Sequence, residues 1–438
     1  MSSSCCPKFS HFRTIATSIF TLAVTAWGAG AYASSLDDNS TLHLPTRPQR
    51  ELAVAKRASD RPFSARLRAG QPAPADSVIR TKPGPWGDLE YYTVFLEATK
   101  AQLKSSEIQT YDTEWNFVGY TEDQVAKLFE TTDIPVAVRD ELLNREKWRH
   151  REKMITVVPS NEAILGLTPE ARVAIYSVLT RWEEDTYHHE PVVVGAHSVR
   201  EWLEHEDLPE NVLAAIERTS YHRGKNLVFA DTPLALRLVE TEEDRLKIRK
   251  ALSRTPTLVV SLRVTPDTDT AAIADYWGGA THAKDMQPFL ESIAESGIPR
   301  TVDIAHLLPP TARRLLYTFP NSDFGRTGYY PDCHWTSLNF QNPDPLDRLA
   351  DPPLATAYVL QNYTKVQGPY RYGDVIFLMD GATGNAIHSC VYLADDLVFT
   401  KNGRSPTQPW VVMKLDDVVS YYGMYYATQL ACYRRNTE

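Results

Sequence analysis

The sequence predicts an α+β protein, in which a mainly helical α/β region leads into a C-terminal domain built from a cysteine-bearing helix packed on a small antiparallel sheet. Three observations carry that expectation. Helix starts with capping signatures recur between residues 85 and 265, and short β-branched apolar runs interrupt them. Beyond residue 330 a turn delivers a cysteine to a helix-like segment, and alternating runs separated by tight turns follow it.

Residues 1–33 set the context. Lys8 and Arg13 precede an apolar run from Thr14 to Trp27, and Ala31 and Ala33 stand in an A-x-A arrangement, the order of a secretory signal peptide cut after Ala33. The run is shorter than the ~20 residues a membrane span needs. The expectation is therefore a secreted or periplasmic protein without stable membrane insertion after cleavage. Of 438 residues, 438 − 33 = 405 remain, and the formal charge of −9 becomes −11 once Lys8 and Arg13 are gone. An acidic chain with no basic stripe is a poor partner for nucleic acid. Cys5 and Cys6 leave with the signal, so Cys333, Cys390 and Cys432 remain, an odd number for an oxidising compartment. A bridge between Cys390 and Cys432 would spare Cys333; otherwise Cys390 is a small buried residue.

Residues 34–84 are polar and rich in Pro, Arg and Ser, and read as a disordered leader. Tyr91-Tyr92-Thr93-Val94-Phe95-Leu96 then reads as a strand opening a mainly helical region of unassigned role, residues 85–265. Thr121-Glu122-Asp123-Gln124 is a capping box before Val125, Leu128 and Phe129. Thr168-Pro169-Glu170 starts a second helix, with Ile175, Val178, Leu179 and Trp182 on one face. Val192-Val193-Val194, Leu227-Val228-Phe229 and Leu258-Val259-Val260-Ser261-Leu262 read as strands. His188, His189, His197 and His205 cluster here, but their spacing does not match a zinc site, so they read as solvated histidines and no metal or cofactor is expected. No P-loop, dinucleotide-binding glycine pattern, G-x-S-x-G elbow or internal repeat is present.

The last domain, residues 266–438, opens with a helix around residues 286–294 and a second helix start at Pro309-Pro310. Gly328-Tyr329-Tyr330-Pro331-Asp332-Cys333 then places Cys333 at a helix N-terminus, where unpaired N–H groups and the dipole favour a thiolate. Asp351-Pro352-Pro353 starts another helix. Residues 373–378, 386–393 and 397–400 read as three consecutive strands, the second carrying His388, the candidate base for Cys333.

These pieces resemble, in order, the NlpC/P60 cell-wall peptidases, a papain-like family. The matching positions are Asp332-Cys333, Gly373-Asp374-Val375-Ile376-Phe377-Leu378, His388-Ser389-Cys390-Val391-Tyr392, and then Thr400 or Asn402, within residues 315–435. The resemblance implies a Cys333 nucleophile that forms a thioester and a His388 acid/base. A third residue orients the ring: spacing lands on Thr400, and Asn402, offering a carbonyl acceptor, is preferred. The implied oxyanion tyrosine is Tyr317, with Tyr329 and Tyr330 as competitors. His334-Trp335 replaces the usual Ser-Gly and is expected to crowd the substrate side, while Cys390 stands where a small residue faces the nucleophile helix. The implied activity is amide hydrolysis in peptidoglycan peptides by a cysteine peptidase or amidase. An inactive peptide- or glycan-binding module and a thiol transacylase are the alternatives on the same fold.

Overall fold

The structure is a computed structural model that describes residues 78–104, 112–321 and 330–436. The signal segment, most of the leader and Tyr329 lie outside the described residues. The chain is mixed α+β, and among the described residues all strand pairings are antiparallel.

Strand β1 (Ile79–Arg80) pairs with β2 (Asp88–Leu96), so the end of the expected leader is already structured. The middle region holds two three-stranded sheets. One contains β3 (Trp115–Val118), β4 (Arg149–Arg151) and β5 (Met154–Val157); the other contains β6 (Val192–Val193), β7 (Tyr221–Arg223) and β8 (Asn226–Phe229). Helix α1 (Glu122–Thr131) is closed by the reciprocal Thr121–Gln124 capping box. Helix α2 (Pro169–Leu179) is capped by Thr168, whose hydroxyl accepts from the Ala171 N–H at 3.1 Å, and it buries Ile175, Val178 and Leu179.

Strand β9 (Thr255–Val264) pairs with β2 along its length, although some 160 residues separate them in the chain. Helix α3 (Thr270–Glu295) is longer than expected and breaks at Gly279, whose φ of 54° and ψ of −156° are open to glycine. Strand β10 (Arg300–Asp303) returns onto β9, pairing Val302 with Leu262. A division at residue 265 therefore cuts through one hydrogen-bonded sheet. The core is equally continuous, running from Leu89 and Leu262 through Trp277 to Trp335, Phe399 and Val412.

Helices α4 (Pro310–Leu315), α5 (Cys333–Leu338) and α6 (Pro352–Asn362) lead into a six-stranded sheet. Its strands are β11 (Tyr363–Val366), β12 (Val375–Asp380), β13 (Ala386–Ala394), β14 (Leu397–Lys401), β15 (Trp410–Lys414) and β16 (Thr428–Arg435), in the order β11-β16-β12-β13-β14-β15. Alternation along β13 gives it two faces. Val391 and Leu393 share a core with Trp335 and Leu338 of α5, whereas Cys390 and Tyr392 pack under Val418 and Tyr422 of α7 (Leu415–Gly423). Cys390 and Cys432 both pair with Ile376, so β12 lies between them. Two strand spacings of ~4.8 Å exceed a disulfide's reach, and Cys333, Cys390 and Cys432 are all free and buried. The bridge weighed from cysteine counting is not formed. Among the described residues no helix is long and apolar enough to cross a membrane.

Candidate active site

Asp332 caps α5, its Oδ1 accepting the Trp335 N–H at 2.8 Å, while Arg404 Nε reaches its Oδ2 at 3.2 Å. The cap fixes Cys333 as the first residue of the helix, buried to 6% exposure. The next two residues are buried as well. Trp335 is buried in the core. His334 Nδ1 lies 3.0 Å from Ser389 Oγ, its ring is stacked on Phe377, and burial pushes its pKa down. Ser389 Oγ also donates to the Cys333 carbonyl at 3.2 Å. Ser389, and not Cys390, is therefore the β13 residue that faces the Cys333 helix.

His388 is fully buried, and its ring stacks on Tyr422 with centroids 4.2 Å apart. Thr400 Oγ1 lies 2.9 Å from His388 Nε2 and 3.4 Å from the Ser389 carbonyl. If the threonine hydroxyl donates to that carbonyl, it accepts Nε2–H, and Nδ1 becomes the lone-pair nitrogen. Nδ1 is buried and has no hydrogen-bond partner, so no hydrogen bond joins it to Cys333. The two residues have Tyr422 as a common neighbour. Its hydroxyl is pushed well above its ordinary pKa by burial and then by the nearby Cys333 charge.

Asn402 does not orient the ring. It lies past the end of β14, its amide donating to Met413 Sδ at 3.3 Å, and it lines a cavity of about 290 Å³ with Arg254, Arg404 and Tyr421. Tyr317 is committed elsewhere, because its N–H donates to the Trp410 carbonyl and its hydroxyl to the Leu258 carbonyl, both at 2.9 Å. Its φ of 61° fixes this pose in the left-handed region, where a tyrosine is strained. Of its competitors, Tyr330 is described and partly buried.

Two neighbours escaped sequence reasoning. Lys401 is fully buried, donating to the carbonyls of Gly403 at 2.7 Å and Ser405 at 3.1 Å. Burial pushes its pKa down to about 7, against the pull of Asp332 and Cys333. Arg404 ties the loop after β14 back to the helix cap. A lysine ending an apolar strand was the only visible signal, and it reads equally well as a solvated strand end. Among the four clustered histidines, His197 and His205 are exposed and His189 Nδ1 lies 2.8 Å from the Thr180 carbonyl, whereas His188 is buried, against the solvated expectation. Among the described residues no group of three or more His, Cys, Asp or Glu side chains is placed to hold a metal ion. No protein-family model, curated protein or solved structure matches the chain.

Proposed function

We propose that α5 and the six-stranded sheet form a papain-like cysteine hydrolase domain, similar to the NlpC/P60 peptidases, that cleaves amide bonds in peptidoglycan peptides of an exported compartment. The observation that carries this reading is His388: a fully buried ring held at Nε2 by Thr400, with Nδ1 left without a partner on the strand that packs against the cysteine helix. A buried polar atom left unpaired costs about 1–3 kcal/mol, and a proton-transfer role for Nδ1 accounts for that cost here. In this reading Nδ1 takes the Cys333 proton. The thiolate sulfur bonds to the amide carbonyl carbon, and the C–N bond breaks as His388 returns the proton to the leaving amine. Water then attacks the thioester, with Nδ1 accepting its proton and the thiol leaving. His388 shares the β13 face of Cys390 and Tyr392, toward Tyr422, while Ser389 faces the Cys333 helix, so the first step requires a rearrangement that brings Cys333 and Nδ1 together.

A peptide- or glycan-holding module without catalysis is the second reading, favoured by the missing thiol–imidazole hydrogen bond and by the engaged Tyr317 hydroxyl. A thiol transacylase would share the chemistry up to the thioester. Iodoacetamide labelling separates catalysis from holding. The expected result is rapid, pH-dependent alkylation of Cys333 that slows at least about tenfold in His388→Ala, with loss of peptide products by mass spectrometry in Cys333→Ala. Labelling no faster than an ordinary thiol in the wild type, and unaffected by His388→Ala, favours the holding module.

A further inference from the structure

A second cavity lies in the middle region, independent of the proposed hydrolase. It encloses about 600 Å³ and is lined by Asp185, His188, Asp112, Glu114, Glu184 and Arg149, among others. Two of these side chains are more than nine-tenths buried and under-satisfied. Asp185 is 2% exposed; its Oδ1 accepts the Asn116 N–H at 2.8 Å, and its Oδ2 has no partner. His188 is 3% exposed, packs edge-on against Tyr176 with centroids 4.4 Å apart, and leaves Nε2 without a partner. Buried polar atoms are paired in the great majority of cases, so two residues of one cavity wall that each carry an orphaned atom mark a place where a ligand could supply the missing donors.

The charge balance names the ligand class. Four carboxyls line the cavity against one guanidinium, and Arg149 is already spent on Glu114 at 2.7 Å. An anion is repelled, and no third metal-binding side chain joins Asp185 and His188 among the described residues. Ala230 and Pro233 add apolar wall for a short alkyl chain. We propose that this cavity binds a small organic cation, a primary ammonium or guanidinium on an alkyl chain, with one N–H donated to Asp185 Oδ2 and another to His188 Nε2. His188 is suited to accept, because burial and the Arg172 charge push its pKa down to about 3 and keep it neutral. Burial, with Glu184 and Glu114 nearby, pushes the Asp185 carboxyl up to about 8, and an arriving cation offsets that penalty.

The test is isothermal titration of the full chain at pH 8.5 with n-butylammonium and butylguanidinium chlorides, beside 1-butanol and sodium butyrate. One-site binding of at least one cation is expected, with no binding of alcohol or carboxylate. Affinity should fall at least about tenfold in Asp185→Asn and severalfold in Glu114→Gln, a partly exposed rim change that spares the fold, and stay unchanged in Cys333→Ala. The comparison of the two cations says which head group fits better. Wild-type protein that binds neither cation, binds 1-butanol as well, or keeps its affinity in Glu114→Gln and in folded Asp185→Asn overturns the proposal.

Discussion

The hydroxyl of Thr400 lies 2.9 Å from Nε2 of a buried imidazole, and replacing it by a methyl group separates that hydrogen bond from packing. Thr400→Val keeps the shape but leaves His388 Nε2 without its 2.9 Å partner. The expected outcome is a loss of about 1–2 kcal/mol in urea unfolding, together with a roughly tenfold fall in Cys333 alkylation rate. Asn402→Ala should leave that rate within about twofold, because Asn402 bonds Met413 and not the ring. Equal effects of the two substitutions on the rate would remove Thr400 from the orienting role. Lys401 lends itself to a pH measurement. Its pKa falls from 10.5 in the open chain to about 7 in the fold, so between those values the unfolded chain holds the proton more often than the native one. Stability from this group therefore rises with pH across about 7 to 10.5, while below 7 the full desolvation penalty stands. Urea unfolding of wild type minus Lys401→Met at pH 6, 8 and 9.5 should show that rise; a difference independent of pH would mean the amine is not titrating.

At the scale of elements, the Gly373-Asp374 turn shows how a motif can carry structure without chemistry. Gly373 adopts φ 85°, and a Cβ there would strike the Gln341 side chain. Asp374 is buried, accepts the Arg371 N–H, and receives Arg434 bidentately at 2.7 and 2.8 Å, clamping the entry of β12 to β16. Asp374→Ala should cost about 2–3 kcal/mol in chemical denaturation, at or below the low end for a broken buried pair, because Arg434 can turn to water. This turn was legible in the sequence, as were the Thr121 and Thr168 caps, the helix start at Cys333 and the strand order around His388, because each signal sits within a few residues of its effect. What could not be read depends on distant segments. Asn402 and Thr400 share a strand phase, and only the end of β14 and the Met413 contact separate them. Tyr317 was placed by its distance from Cys333 in sequence, yet its hydroxyl is captured by Leu258 on β9. Trp335 was assigned to the substrate side because the core that absorbs it is assembled from segments scattered along the chain.

For the molecule as a whole, the decisive feature is that the sheet of β1, β2, β9 and β10 is not a separable neighbour of the cysteine-bearing region. Thr257 Oγ1 donates to the Val412 carbonyl at 3.2 Å and accepts the Val412 N–H at 3.1 Å, locking β9 to β15. Tyr276 donates to the Leu393 carbonyl at 2.7 Å, and the Lys82 N–H donates to Asp395 at 3.0 Å. Behind these bonds lies a single apolar core to which both parts contribute. A chain cut at residue 266 loses β2 and β9, and with them Leu89, Tyr91, Leu258, Val260, Leu262 and Val264 from that core. Each fully buried aliphatic side chain is worth roughly 1.5–3 kcal/mol, so the loss approaches or exceeds the 5–15 kcal/mol by which a typical native protein is stable. Residues 266–438 alone should therefore lack near-ultraviolet circular dichroism and bind a hydrophobic dye, whereas residues 78–438 should show a cooperative loss of tertiary signal. A fragment from 266 that unfolds cooperatively and labels at Cys333 as fast as the longer chain would show that β9 covers the cysteine-bearing region without helping to build it. The predicted collapse would instead make the N-terminal strands part of the structure that holds Cys333 and His388 in place.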